Sequence, residues 1–221
     1  FLLASQKPDG DLRGDSKAVG MYCHSMAALA LCEAYALTGD ARLRRPVERA
    51  VNFLVLAQAP GGMGWRYSPR ERLGDTSVLG WVVMVLKSAR EVGIPIAEPV
   101  RAGTLLWLDR VAAGPARGLA RYQPGKEVTP SMTAEAWVCR QFLGTGGPSA
   151  ASTEAADHLL RNSPDRGPVN LYYWYYGTLA LFHHGGDEWT RWNRHLRNCI
   201  LEYQDRTIDT RGRRSHRYGS W

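Results

Sequence analysis

Lysine is scarce in this 221-residue chain, with 4 residues against 24 arginines. Cysteine is scarce too, and Cys23, Cys32, Cys139 and Cys199 form no C-x-x-C pair and no disulfide-framework spacing. Buried free thiols are the expected reading, and they fix no compartment. No apolar run reaches the roughly 18 residues that a transmembrane helix needs. The sequence holds no G-x-S-x-G, no P-loop and no H-E-x-x-H, which removes those three routes to chemistry. No stretch alternates with period 2 for long enough to argue for a sheet.

What is present is an ordinary globular composition, 44% hydrophobic and 22% charged. The length suits one domain, residues 1–221, with a sizeable core or one arc of a repeat array. The start at Phe1 rather than Met leads us to expect a piece of a longer chain. The net charge of +7 invites a nucleic-acid reading. Most basic residues, however, alternate with Asp and Glu along helix faces, and the one basic run, 206–217, reads as a solvated loop. No nucleic-acid partner is expected.

Internal repetition is the strongest signal. The core Arg66-Tyr67-Ser68-Pro69 returns 55 residues later as Arg121-Tyr122-Gln123-Pro124, and each copy leads into a helical segment. Leu37-Thr38-Gly39-Asp40 is echoed by His184-Gly185-Gly186-Asp187. In both, a helix ends at a glycine suited to the left-handed C′ position, and the following Asp can cap the next helix. Helices near 21–38, 75–92, 131–144 and 170–184 are apolar almost all round and must be buried on every face. Helices near 44–58, 97–112, 151–161 and 187–204 carry a single apolar stripe. The expected fold is therefore all-α, an α/α toroid or open arc of about four helical hairpins with inner and outer layers. The inner-helix N-termini and the Arg-Tyr-x-Pro turns would share one rim.

The loops carry a family pattern. Phe53 to Gln58 followed by Gly64-Trp65 resembles the Q…G-x-W repeat of squalene–hopene cyclases and related terpenoid cyclases. Phe1 to Gln6 with Pro8-Asp9-Gly10 looks like a second copy, and Ile200 to Gln204 reaching Gly219-Ser220-Trp221 like a third. The resemblance extends to protein prenyltransferase β-subunits and implies an α/α barrel around an apolar cavity. In the repeat, Gln is expected to bond the N-terminal amides of a neighbouring helix while Trp65 packs over the turn. The family's D-x-D-D-T acid motif falls on Arg72-Leu73-Gly74-Asp75-Thr76. Gly74 stands where the proton donor would be, so cyclase chemistry is not expected; Asp75 or Thr76 is a helix N-cap on the plainer reading. No Asp-x-Cys is present, and Asn170-Leu171-Tyr172 replaces the subunits' zinc-binding His stretch. His183 and His184 read as cap or surface residues, so neither metal nor cofactor is expected. Cys23 and His24, as sequence neighbours, cannot pair with each other.

The candidate site is assembled from aromatics and rim charges. Tyr22, Trp81, Trp137, Tyr173 and Tyr176 are assigned to the hollow, where π-faces suit an isoprenoid chain; core filling is the competing reading. Arg66 and Arg121 could hold an anionic head, or each could tie its own loop. Asp75 and Glu135, near the starts of adjacent inner helices, are the one evident carboxylate pair. Glu135 could simply complement a helix dipole. Three functions stay open: binding of an apolar ligand or a protein partner, an isoprenoid-processing enzyme completed by residues outside this segment, and a structural arc. Membrane contact is also left open.

Overall fold

The computed structural model describes residues 1–16, 18–208, 212–214 and 217–220. Trp221, expected to end a third repeat copy, and part of the basic run 206–217 lie outside the described residues. The protein is all-α. After a single turn, α1 (Leu2–Ser5), come α2 (Gly20–Thr38), α3 (Ala41–Leu56), α4 (Thr76–Glu91) and α5 (Glu98–Val111). Then follow α6 (Pro130–Phe142), α7 (Ala150–Arg161), α8 (Leu171–His184) and α9 (Gly186–Tyr203). Among the described residues the one sheet is a two-residue ladder of β1 (Ala112–Ala113) against β2 (Leu119–Ala120).

The even-numbered helices pack side by side in chain order, α2 on α4, α4 on α6 and α6 on α8. The odd-numbered ones lie against them: α3 on α2 and α4, α5 on α4 and α6, α7 on α6, and α9 on α8. This is the alternation expected from the apolar patterning, but burial on nearly every face holds only for α4 and α6. Helix α2 leaves Met26 and Leu37 exposed, and α8 leaves Leu171, Tyr175 and Phe182 exposed, because no helix covers those faces. In α4, Val78, Leu79, Val82, Val83 and Val85 are all buried, whereas in α3 only the Val47–Ala50–Val51–Leu54 stripe is. Two clusters of buried side chains result, one around α2 to α5 and one around α6 to α9.

Turns follow local chemistry. Gly39 takes φ 62° to end α2, and Asp40 then accepts from the Arg42 N–H at the start of α3. At the second echo Gly185 (φ 78°) ends α8, but α9 begins at Gly186 without a side-chain cap. Asp187 sits in its first turn instead, favourable to the dipole. Trp65 is buried and its indole N–H donates to the Leu54 carbonyl at 2.7 Å. Gln6 and Gln58 donate their side-chain amides to carbonyls, and Gln6 Oε1 also accepts from the Arg49 guanidinium at 2.9 Å. Gln6 bonds the Pro46 carbonyl of α3 at 2.9 Å and Gln58 the Val100 carbonyl of α5 at 3.5 Å. The expected bond to helix N-terminal amides is thus replaced by one to a carbonyl in the next outer helix.

Candidate functional site: a carboxyl–tyrosine cluster at the inner-helix N-termini

The two Arg-Tyr-x-Pro turns meet here. The Tyr67 carbonyl accepts from Met21 N–H at the start of α2, and the Tyr122 carbonyl accepts from Thr76 N–H at the start of α4, both at 3.0 Å. Each turn therefore closes the N-terminus of the inner helix one repeat back. This brings the Tyr67 and Tyr122 hydroxyls to 2.8 Å and lays Tyr67 against the Tyr22 ring.

Asp75 sits beneath them, fully buried, as the N-cap of α4. Its Oδ1 accepts from Val78 N–H and from the Ser77 hydroxyl, each at 2.8 Å, and its Oδ2 from the Tyr122 hydroxyl at 3.1 Å. Arg66 stands 3.8 Å from the same Oδ2, its guanidinium over the Tyr67 ring and 3.7 Å from Glu71. The Tyr22 hydroxyl donates to Ser77 Oγ at 2.5 Å, which extends the chain to α2. Burial pushes the Asp75 carboxyl up from its ordinary range, while the N–H and hydroxyl donors and Arg66 pull it back.

Glu135 is the second buried acid. Its Oε1 accepts from the Gly80 N–H at 3.1 Å, and its Oε2 lies 2.7 Å from the Tyr172 hydroxyl. Burial drives this carboxyl well above the usual range, and the Asp75 charge adds to the shift. The hydrogen bonds oppose that shift: the Tyr172 hydroxyl donates to Oε2, with the Ser77 carbonyl as a second acceptor at 3.2 Å, and it and the Gly80 N–H pull the carboxyl back down. The Tyr176 hydroxyl adjoins the same carboxyl but is buried without an aligned hydrogen bond.

Two glycines make the cluster possible. A Cβ on Gly80 would lie 2.1 Å from Glu135 Oε1, so α4 admits the carboxyl only because that position has no side chain. At Gly74 a Cβ would lie 2.6 Å from the Met63 carbonyl oxygen and the Trp65 nitrogen. Gly74 therefore stands where no side chain has room.

Of the candidate residues, Tyr22, Arg66, Asp75, Glu135 and Tyr176 gather at this cluster, and Trp81 lies edge-on to Tyr176 at 6.4 Å. Three others are placed elsewhere, each for a physical reason. Tyr173 donates to the Leu159 carbonyl of α7 and meets Trp192 of α9 edge-on, so it faces the outer layer. Trp137 packs against His184 and lines a recess with Leu108 and Gly118. Arg121 donates to the Ala112 carbonyl at 3.0 Å, tying its own loop. Sequence reasoning missed Tyr67, Tyr122, Tyr172 and Tyr175. The 55-residue repeat pointed to the first two, because a repeated tyrosine at a repeated turn can meet its copy.

Other titratable groups are structural. His24 accepts from Leu12 N–H at Nδ1 and faces the Ala50 carbonyl with Nε2, which fixes the neutral tautomer with Nε2 protonated. Burial lowers its pKa to about 4. His183 and His184 end α8 against Phe142 and Trp137. Among the described residues no group of three or more His, Cys, Asp or Glu converges as a metal site would require. No helix among them is long and apolar enough to cross a membrane. Comparison with protein-family models, curated proteins and solved structures finds no match to this chain.

Proposed function

We propose that this chain is a repeat domain of the squalene-cyclase and prenyltransferase kind, an α/α arc that binds an apolar, isoprenoid-like molecule on its aromatic inner face. One observation carries the reading. Trp81 of α4 and Tyr175 of α8 lie parallel, 8° apart with centroids at 6.1 Å, yet Tyr175 remains 45% exposed. The Tyr175 hydroxyl also reaches Met84 of α4, so α8 spans across α6 to α4 and leaves a π-surface open to solvent. Exposed Met26 lies on α2, which packs on α4, and exposed Leu171 lies one turn before Tyr175 on α8. Such faces take polyene chains by area and polarizability. The ligand pose differs from the sequence expectation, because Tyr173, Trp137 and Arg121 are engaged elsewhere. Beside Arg66 stand Glu71 and Asp75, which disfavours an anionic head there.

Quenching of tryptophan fluorescence by farnesol is the test. Trp81→Leu and Tyr175→Leu should each weaken binding about tenfold with an unchanged melting temperature. Unaltered affinity in both variants rejects the site.

An isoprenoid-processing enzyme is the second reading, and one observation favours it: two buried carboxyls, Asp75 and Glu135, lie near each other with Glu135 pushed well above the usual range by burial, an arrangement that can hold a proton for transfer. Glu135 is sealed from solvent, so the reading also needs an opening motion. Formation of a cyclised product by the purified chain, lost in Glu135→Gln, would establish it.

A further inference from the structure

At the opposite end of the inner helices a cleft of about 550 Å³ opens between the C-terminal halves of α4 and α6 and the start of α5. Its volume lies in the range of small-molecule sites. Val83, Leu86, Ile96, Phe142 and Leu143 supply apolar lining, and Val83 and Leu86 are buried parts of the core. Lys87, Arg90 and Arg101 stand around it, with the carboxylate Glu98 beside Arg101. Two of these cations are engaged: Lys87 pairs with Glu91 over the Phe142 ring, and Arg101 pairs with Glu98 and donates to the Leu143 carbonyl. That last bond answers the negative end of α6. Arg90 has no carboxylate within ion-pair distance among the described residues, and it lines both this cleft and the adjoining recess that Lys87, Glu91 and Phe142 share, where Glu91 is held by Lys87.

We propose that this cleft binds a small amphipathic carboxylate, with the apolar body against Leu86, Ile96 and Phe142 and the carboxylate on Arg90. An apolar recess with one unpaired guanidinium at its edge is the arrangement such a ligand completes. The body removes apolar surface from water, and the planar fork meets a carboxylate in two places. The site is separate from the aromatic face, so the two stand or fall apart.

Calorimetric titration of the whole chain with decanoate, decanol and decyltrimethylammonium, each below its micelle concentration, tests the proposal. Decanoate should bind one to one, with the alcohol about tenfold weaker and the ammonium without measurable binding. Arg90→Gln, an exposed change, should weaken decanoate about tenfold and leave decanol unaltered. Phe142→Leu should weaken both, and the thermal midpoint of each variant guards against simple unfolding. Equal binding of decanoate and decanol, or indifference to Arg90→Gln, overturns the proposal. So does loss of decanoate binding in Trp81→Leu with Phe142→Leu unaffected, which would place the ligand on the aromatic face.

Discussion

At the first Arg-Tyr-x-Pro turn the arginine stands 3.8 Å from a buried aspartate, whereas at the second it reaches a backbone carbonyl at 3.0 Å. The turns are otherwise alike. Both tyrosine carbonyls close the helix one repeat back, and the residue before each arginine, Trp65 or Ala120, accepts from the N-cap residue of the next inner helix. That N-cap is Asp75 in the first copy and Thr129 in the second. An arginine beside a charged cap turns towards it, and one beside a neutral cap ties its own loop. Repetition preserves the backbone roles, while a single change of capping residue decides where charge gathers.

The largest break in the comparison should come at the residue before the arginine. Trp65→Ala, which makes the first copy resemble the second, should cost about 3–5 kcal/mol by urea denaturation, because a buried indole and its hydrogen bond are lost together. The caps come next. Asp75→Ala should cost about 2–3 kcal/mol, since it strands the Ser77 and Tyr122 hydroxyls, against about 1 kcal/mol for Thr129→Ala. A cost at Thr129 equal to that at Asp75 would show that the hydroxyl network contributes nothing. Smaller again is the pair of phenols. Tyr122→Phe removes a donor to Asp75 and should cost about 1 kcal/mol, with Tyr67→Phe nearer 0.5 kcal/mol because its hydroxyl touches only Tyr122.

The pH dependence separates the two buried titratable groups Glu135 and His24. Glu135 has a folded pKa above its unfolded value, so the folded state holds the extra proton. Its contribution is complete below the ordinary carboxylate pKa and is lost as pH rises through the folded pKa. Stability should fall above about pH 4.5 on this account, and Glu135→Gln should flatten that slope. His24 acts in the other direction. Its pKa is lowered to about 4, so its contribution is present above the unfolded value of 6.5 and is lost as pH falls towards 4. Melting curves of the two proteins from pH 4 to 9 separate these windows.

Much of the frame was legible in the sequence for a simple reason. Helices α4 and α6 are apolar almost all round and are buried almost all round, while the same pattern in α2 and α8 leaves Met26, Leu171 and Tyr175 exposed; Asp75 precedes α4 in a place that suits a cap. The cluster was less legible. Five consecutive aromatics, 172–176, cover all faces of α8, so periodicity cannot tell Tyr172, which meets Glu135, from Tyr173, which faces α7 and α9. Gly80 was the readable clue to Glu135, since a glycine inside so apolar a helix marks a close approach, and the two lie 55 residues apart. Gly74 reads as a missing acid until the Met63 and Trp65 backbone is seen occupying the space.

The Tyr67 and Tyr122 carbonyl bonds overlap neighbouring repeats like roof tiles. The start of α2 is fastened by a turn that arrives 46 residues later, and the start of α4 by one the same distance on (Met21 to Tyr67, Thr76 to Tyr122). A hairpin cut out alone would leave its inner helix open at the end where the carboxyls lie. Amide exchange at Met21 should therefore report opening of the 66–69 turn rather than fraying of α2. Exchange at Thr76 should follow the 121–124 turn in the same way, so opening would spread along the chain in steps of one repeat.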